Sequence, residues 1–480
     1  MISFFISIGV LISAYFIYGS IVERVFGVQP ERETPASRLK DGVDFIVLPN
    51  WKVFLIQFLN IAGLGPIFGA IAGAMFGPSA FLWIVLGSIF AGGVHDYFSG
   101  MLSLRHDGLS ISEIVGVYLG ENAKQIMRIF TIVLLIFVGT VFLMGPAKII
   151  DGMTSVNWGI WAWVSIILVY YVFSTLLPID KLISKLYPLF GVAMLIMAIG
   201  LFLALILGDY NIPEIVPSNL YNMKTNPSET PIFPILFVTI ACGAISGFHA
   251  TQSPLMARCL KNEKAGRKIF YGTMITEGIV TLIWAAAAMT FFGSVDGLNE
   301  AMQANSNNAA WAANEISLKM LGSVGGILAL LGIVAAPITS GDTAFRSARL
   351  ILSDIFKINQ KKFKNRLYIS IPLFAVAFAL TQIDFAIIWR YFAWSNQTLA
   401  TIVLWTITAY LFYEHKNYWI TAIPAVFMTM VCVTYILIAP EGFELPVQTS
   451  YIIGVISTLL ITGLLCYKIF KHSKTKLSSI

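Results

Sequence analysis

Asn60-Ile-Ala-Gly-Leu-Gly-Pro66 and Cys242-Gly-Ala-Ile-Ser-Gly-Phe-His249, the latter followed by Gln252-Ser-Pro254, are the stretches on which the fold turns. Each lies inside an apolar run long enough to cross a bilayer, and Gly, Ser and Pro interrupt a helix there. One such run would be explained by close packing between neighbouring helices. Two of them at matching places in the chain ask for more.

The surrounding composition fixes the class. Of 480 residues 57% are hydrophobic and only 12% charged, with a mean hydropathy of +0.80. A soluble domain carries roughly a quarter charged residues. These values exclude a soluble enzyme, a disordered chain and a secreted disulfide scaffold. The apolar runs are continuous rather than alternating, which excludes a barrel. The net charge of +6 marks cytoplasmic loops rather than nucleic-acid binding. Cys242, Cys259, Cys432 and Cys466 have no metal-site or disulfide spacing.

The expectation is an all-α polytopic membrane protein of about 13 transmembrane helices. The runs are 2–21, 51–75, 79–101, 127–147, 158–178, 187–208, 232–256, 270–292, 322–343, 367–383, 385–412, 418–439 and 450–470. With residues at span edges assigned to loops, odd loops and the C-terminal tail hold 26 of the 31 Lys and Arg, and even loops hold three. That asymmetry predicts an N-terminus outside and a C-terminus in the cytoplasm. The first run has no Lys or Arg before Arg24, so it does not read as a signal peptide. The segment 293–321 is expected to form short helices over the outer mouth, and Ser110-Ile-Ser-Glu113 to start a short cytoplasmic helix.

The interrupted spans are the second and seventh, five apart. The chain then divides into a first helix and loop (1–50), a five-helix unit (51–208), an external loop (209–231), a second five-helix unit (232–413), and two further helices with a tail (414–480). Five is odd, so the two units have opposite topology. This is the inverted-repeat pattern of transporters whose discontinuous helices hold a solute near the midplane. Freed N–H groups at a break can meet an anion, and freed carbonyls a cation. Asn60, Gly63, Gly65, Ser246, Gly247, His249, Thr251 and Gln252 are therefore candidate solute-binding residues, and Gly63, Gly65 and Gly247 allow the unwinding.

Ionisable groups inside a membrane are costly and often functional. Asp342, in Ile338-Thr-Ser-Gly-Asp-Thr343, suits a hard monovalent cation or a proton relay, or else an ion pair with Arg346 one turn on. His249 follows the second break as a candidate proton carrier. Asn396 and Gln397 fall in the tenth core helix, as interhelical hydrogen bonds or as ligands. Arg390 is expected to snorkel to the outer interface or else to attract an acid, and Asp96 to act with Arg105 or Arg128 as a structural pair or as gate charges. Glu277 and His95 lie in the same half of their spans. Nucleotide-binding loops and hydrolase motifs are absent, so an ion gradient is the expected energy source.

Tyr18-Gly19, Phe26-Gly-Val-Gln-Pro30, Thr34-Pro-Ala-Ser-Arg-Leu-Lys-Asp-Gly-Val-Asp44, Ile61-Ala-Gly-Leu-Gly-Pro66, Arg105-His-Asp-Gly108, Ser246-Gly-Phe-His249, Thr339-Ser-Gly-Asp-Thr-Ala344 and Ser395-Asn-Gln397 follow one another in order. This series resembles the carbon starvation protein A (CstA) family of bacterial inner-membrane transporters, over roughly 14–410. The chain looks like a short member. The resemblance implies nutrient uptake under carbon limitation, with pyruvate or peptides as substrates, and a grouping with the amino acid–polyamine–organocation transporters of LeuT type. It further implies a coupling cation between the first break, near Ala62–Gly65, and the hydroxyls of Thr339, Ser340 and Thr343. Three places depart from the family pattern. Ile56-Gln57 replaces a His-His pair, Ala250-Thr-Gln-Ser253 replaces a Ser-Ser-Gly-Thr-Thr run, and Trp389-Arg-Tyr-Phe392 replaces Trp-Pro-Leu-Phe.

The combined expectation is a LeuT-like 5+5 inverted repeat that imports a small carboxylate-bearing nutrient, pyruvate-like or a short peptide, with H⁺ or Na⁺. No other cofactor and no metal beyond Na⁺ is implied; the expected partners are the lipid bilayer and the solute, with no nucleic acid, and the oligomeric state is left open. A membrane sensor that binds without moving its ligand is the alternative.

Overall fold

The structure is a computed structural model that describes residues 1–42, 44–154, 158–176, 179–360 and 362–477. All regular structure among these is helical. Helices satisfy every backbone polar group within the segment, as a bilayer interior demands.

Nine helices among the described residues are long and apolar enough to cross a membrane: Ile2–Phe26, Ser79–Arg105, Glu121–Met153, Tyr187–Leu207, Glu263–Phe291, Val324–Phe356, Phe363–Leu380, Trp419–Ile438 and Val447–Lys471. A tenth is formed if Asn50–Ile61 and Gly65–Ala74, bent by 55° at their junction, count as one. The other apolar runs are also helical. Ile160–Ser174 is shorter, Phe385–Tyr413 carries Arg390, Asn396 and Gln397, and Ile232–Thr239 with Gly247–Ala257 flanks the second break.

Helix boundaries differ most where a span continues past the membrane. The fourth apolar run, 127–147, is the middle of Glu121–Met153. Half of the loop expected at 344–366 is helix as far as Phe356, and Arg346 and Arg349 are buried on it. The segment 293–321 forms Val295–Ala304, capped by Ser294, and the start of Ala309–Ala329, capped by Asn308 and kinked at Gly322. Ile111–Leu119 forms as expected, but its capping box stays open. Ser110 Oγ meets Ser112 Oγ at 3.1 Å, while Glu113 takes Arg128 and Lys124.

The two breaks cross each other. A Cβ on Gly65 would lie 2.3 Å from Cys242 Cβ, one on Gly69 3.0 Å from the Thr239 carbonyl, and one on Gly73 2.3 Å from Ile240. The four-residue glycine spacing of Gly65, Gly69 and Gly73 thus serves a crossing within the chain. Ser79–Arg105 seals the far side of the second break. Its Trp83 Nε1 donates to Ile240 O (3.1 Å), and Ser88 Oγ to Gly243 O (3.0 Å).

Candidate functional site

Asn396 organises the second break. Its Oδ1 accepts from Phe248 N at 2.7 Å and from Ser246 Oγ at 3.1 Å, and its Nδ2 points at Cys242 Sγ, 3.5 Å away. It acts as the N-terminal cap of Gly247–Ala257, supplied by another helix, and satisfies an N–H that a helix start leaves open. Gly247 lets the two backbones meet, since a Cβ there would sit 2.5 Å from Asn396 O and 2.6 Å from Ala400 N. Gln397 Nε2 donates to Phe237 O at 3.3 Å, on the other side of the gap. Both amides make interhelical hydrogen bonds, while Gln397 Oε1 is buried without a hydrogen-bond partner.

At the first break the situation is reversed. Gln57 and Asn60 lie three apart on Asn50–Ile61, hence on one helical face, and both are fully buried. None of their four side-chain polar atoms has a protein hydrogen-bond partner. Buried polar groups are normally satisfied, so these are poised for a ligand or water. Gln57 was noted in the sequence as a departure from a family pattern and not as a site residue. Gly63 lies under the Phe142 ring, 2.6 Å from a built Cβ, and Ala62 N still bonds Phe58 O at 2.8 Å. Thr251 Oγ1 donates to Phe248 O (2.7 Å) and accepts from Gln252 Nε2 (2.9 Å), while Gln252 Oε1 is unpartnered.

Asp342 does not form the helical ion pair with Arg346. Its Oδ2 accepts from Ser174 Oγ at 2.6 Å and Tyr187 OH at 2.8 Å, and Oδ1 has no hydrogen-bond partner. Arg346 Nη2 donates to the Ser174 carbonyl at 3.0 Å instead. Tyr187 also reaches Thr339 O, at 3.1 Å. Ser340 Oγ donates to Leu59 O across the helix gap at 2.9 Å, which ties Ala336–Phe356 to the edge of the first break. The hydroxyl protons of Thr339 and Thr343 go to carbonyls of their own helix.

A second buried polar array was not anticipated as a unit. Asp96 Oδ1 lies 2.7 Å from His95 Nδ1 and its Oδ2 lies 2.8 Å from His249 Nδ1. His249 Nε2 faces Glu277 Oε2 at 3.5 Å, and the side chains of all four residues are fully buried. The arginines expected for Asp96 are engaged elsewhere. Arg105 bonds Glu263 and the Gly27 carbonyl, and Arg128 bonds Glu113. Among the described residues no group of three or more His, Cys, Asp or Glu is placed to hold a metal ion.

A cavity of about 830 Å³ opens at the end of the molecule bearing 209–231 and Val295–Ala304. It reaches Phe68 and Thr239, next to the two breaks, and its wall carries Lys148, Lys224, Asp384 and Arg390. Arg390 has a carboxylate partner within the chain. It faces this cavity and pairs with Glu441 at 3.0 Å, a carboxylate that is itself buried and held by Tyr435. Lys224, in the 209–231 segment, has its ammonium pKa lowered by burial and lies 4.9 Å over the Phe76 ring.

Crossed broken helices, with unpartnered amides on the first and a cavity reaching residues next to both, fit a helical membrane transporter. The global fold agrees. Crystal structures of an Eremococcus coleocola manganese transporter match 90% of this chain and 98% of theirs, with TM-scores of 0.55 and 0.56 at 12–13% identity. The chain belongs to the carbon starvation protein CstA family, whose model matches residues 1–162, 151–324 and 318–435. It is 41% identical to an uncharacterized membrane protein of Haemophilus influenzae, over 63% of this chain and 95% of that one. It is 26% identical to the peptide transporter CstA of Bacillus subtilis, over 83% of each chain. It is 27% identical to the pyruvate/proton symporter BtsT of Escherichia coli, over 59% of this chain and 48% of that one. The chain thus matches about half the length of that symporter. Family and neighbours are transporters, not enzymes.

Proposed function

We propose that the chain is a secondary active transporter of the bacterial inner membrane that imports a small carboxylate-bearing nutrient, a pyruvate-like acid or a short peptide, by symport under carbon limitation. The observation that carries this reading is the crossing of the two breaks, with the buried, unpartnered amides of Gln57 and Asn60 on the helix that enters the first and an 830 Å³ cavity that reaches Phe68 and Thr239 beside them. A channel needs an open path, whereas paired breaks suit an occluded site.

The architecture proposed is thirteen spans with the N-terminus outside, comprising two inverted LeuT-like five-helix units at 51–208 and 232–413, a joining loop at 209–231, and flanking parts 1–50 and 414–480. Solute binding is assigned to Asn60, Gly63, Gly65, Ser246, Gly247, Thr251 and Gln252, joined by Gln57. Asn396 and Gln397 act by shaping the break. His249 is a candidate for protons. Ala62, Thr339, Ser340, Asp342 and Thr343 are the candidates for a coupling cation, with the Ser340–Leu59 link as support.

The test is uptake of labelled pyruvate, and in parallel of a dipeptide, into proteoliposomes under separate proton and sodium gradients. Gradient-driven accumulation of either solute is expected. Binding without accumulation would favour a sensor and overturn the transport reading.

A further inference from the structure

The array Asp96–His249–Glu277 joins three helices, one of which, Gly247–Ala257, is the half-helix after the second break. An ionised carboxylate only accepts hydrogen bonds, so Asp96 between two Nδ1 atoms fixes a proton on each of them. The Nε2 of a neutral His249 then presents a lone pair to Glu277. Both oxygens of Glu277 lack a hydrogen-bond donor. A buried carboxylate without a donor is far more costly than the neutral acid.

The charged groups that act on Glu277 are His249 and Asp96. Ile2–Phe16, Asn50–Ile61 and Gly65–Ala74 also pack against its helix, and residues 2–14 and 53–74 carry no carboxylate, ammonium or imidazole. Arg267, nearer the helix start, is paired with Glu23, and Tyr187 on Ile179–Leu207 is bonded to Asp342.

We infer that Glu277 carries the coupled proton, one per cycle, with His249 and Asp96 as its relay. This rests on the transport reading above. In the conformation described, Glu277 is the loaded, neutral acid. Movement of Gly247–Ala257 shortens the 3.5 Å gap. The Glu277 O–H bond then breaks as an N–H bond forms on His249 Nε2. Asp96 holds the imidazolium through Nδ1 until the half-helix swings away from Glu277, when the new Nε2–H bond breaks to water entering that gap and the neutral imidazole is restored. Reprotonation of Glu277 from the other side closes the cycle. A monocarboxylate moving with this proton carries no net charge, whereas a zwitterionic peptide carries one positive charge.

The experiment compares wild type, Glu277→Gln and Glu277→Asp in proteoliposomes. Gln is the shape of the protonated acid. Glu277→Gln is expected to keep solute counterflow, to lose proton-driven accumulation entirely, and to lose pH dependence, with partial recovery in Glu277→Asp. A solute-independent readout accompanies it. Infrared spectra at neutral pH should show the carbonyl stretch of a buried protonated carboxyl group in wild type and not in Glu277→Gln. Proton-driven accumulation by Glu277→Gln, or absence of that band in wild type, would overturn the assignment. A wild type that shows the band yet neither exchanges nor accumulates any solute would overturn the transport reading and the coupling role, leaving Glu277 as a protonated buried acid.

Discussion

Gly247→Ala is a one-methyl perturbation with a large consequence. The added Cβ would lie 2.5 Å from Asn396 O, 2.6 Å from Ala400 N and 2.7 Å from Leu399 Cβ. Two of these are backbone atoms of Phe385–Tyr413, which cannot turn aside as a side chain can. Ordinary contact requires Gly247–Ala257 to retreat by roughly 0.5–1 Å. That stretches the Phe248 N–Asn396 bond from 2.7 Å and the His249–Asp96 bond from 2.8 Å, beyond the usual range. Overpacking of this kind costs about 1–3 kcal/mol. If the cost falls on one conformation of the cycle, its population changes by about 5–150-fold. The assay is initial uptake rate together with thermal unfolding of the detergent-purified protein. Two controls calibrate it. Gly9→Ala meets nothing within 4 Å and should be neutral, and Gly63→Ala meets only the Phe142 ring, which can rotate, and should fall between. Wild-type melting and uptake in Gly247→Ala would refute the claim that close backbone approach at the break is required.

Two further outcomes are expected. Tyr187→Phe removes one of the two hydroxyls on Asp342 and should cost about 1–3 kcal/mol of stability, as for a buried polar group that loses a partner, measured by denaturation in detergent. If Glu277 carries the coupling proton, replacement of sodium by choline should leave accumulation by the wild type unchanged. In the cavity, Lys148 and Lys224 lie over the Phe385 and Phe76 rings, 4.6 and 4.9 Å from their centroids. Joint replacement by Gln should raise KM for a carboxylate solute by about tenfold, leave an uncharged ester unaffected, and be rescued by Arg.

The breaks were legible in the sequence because Gly, Ser and Pro disrupt helices locally, so Asn60–Pro66 and Cys242–His249 announce themselves. Membrane runs were legible because apolar length is a local property. Helix ends were less so. Glu121–Met153 and Val324–Phe356 continue as helix beyond the apolar stretch, where charge density reads as loop. Partners were illegible for a different reason. Spacing along a helix offers only neighbours one turn away, which is how Arg346 was weighed against Asp342, and nearby arginines against Asp96. Asp342 found Ser174 and Tyr187, and Asp96 found His249 beside its chain neighbour His95; Ser174, Tyr187 and His249 are each more than 150 residues distant in sequence from the carboxylate they meet. Arg390 found Glu441 because an open cavity, invisible in sequence, replaced the lipid assumed around it.

The two ends of the molecule are held by different chemistry. At the cavity end the breaks are approached by space, and the lysines there rest on aromatic rings. At the other end the segment after the first helix is strapped down. Glu263, fully buried, takes Arg105 and the Gln29 N–H, while Thr34 Oγ1 donates to Leu260 O. Leu48 N then bonds Cys259 O, just beyond Gly247–Ala257. A buried carboxylate with several donors is stable only while all of them stay in place, because loss of one leaves charge uncompensated. The half-helix that carries His249 therefore has a soft contact with Glu277 at one point and a firm one with the strap at another. Proton transfer across the soft contact changes the charge on the half-helix and so biases whether the strap holds. Ion coupling and gating would then act on one rigid element, Gly247–Ala257, rather than on two separate parts of the fold.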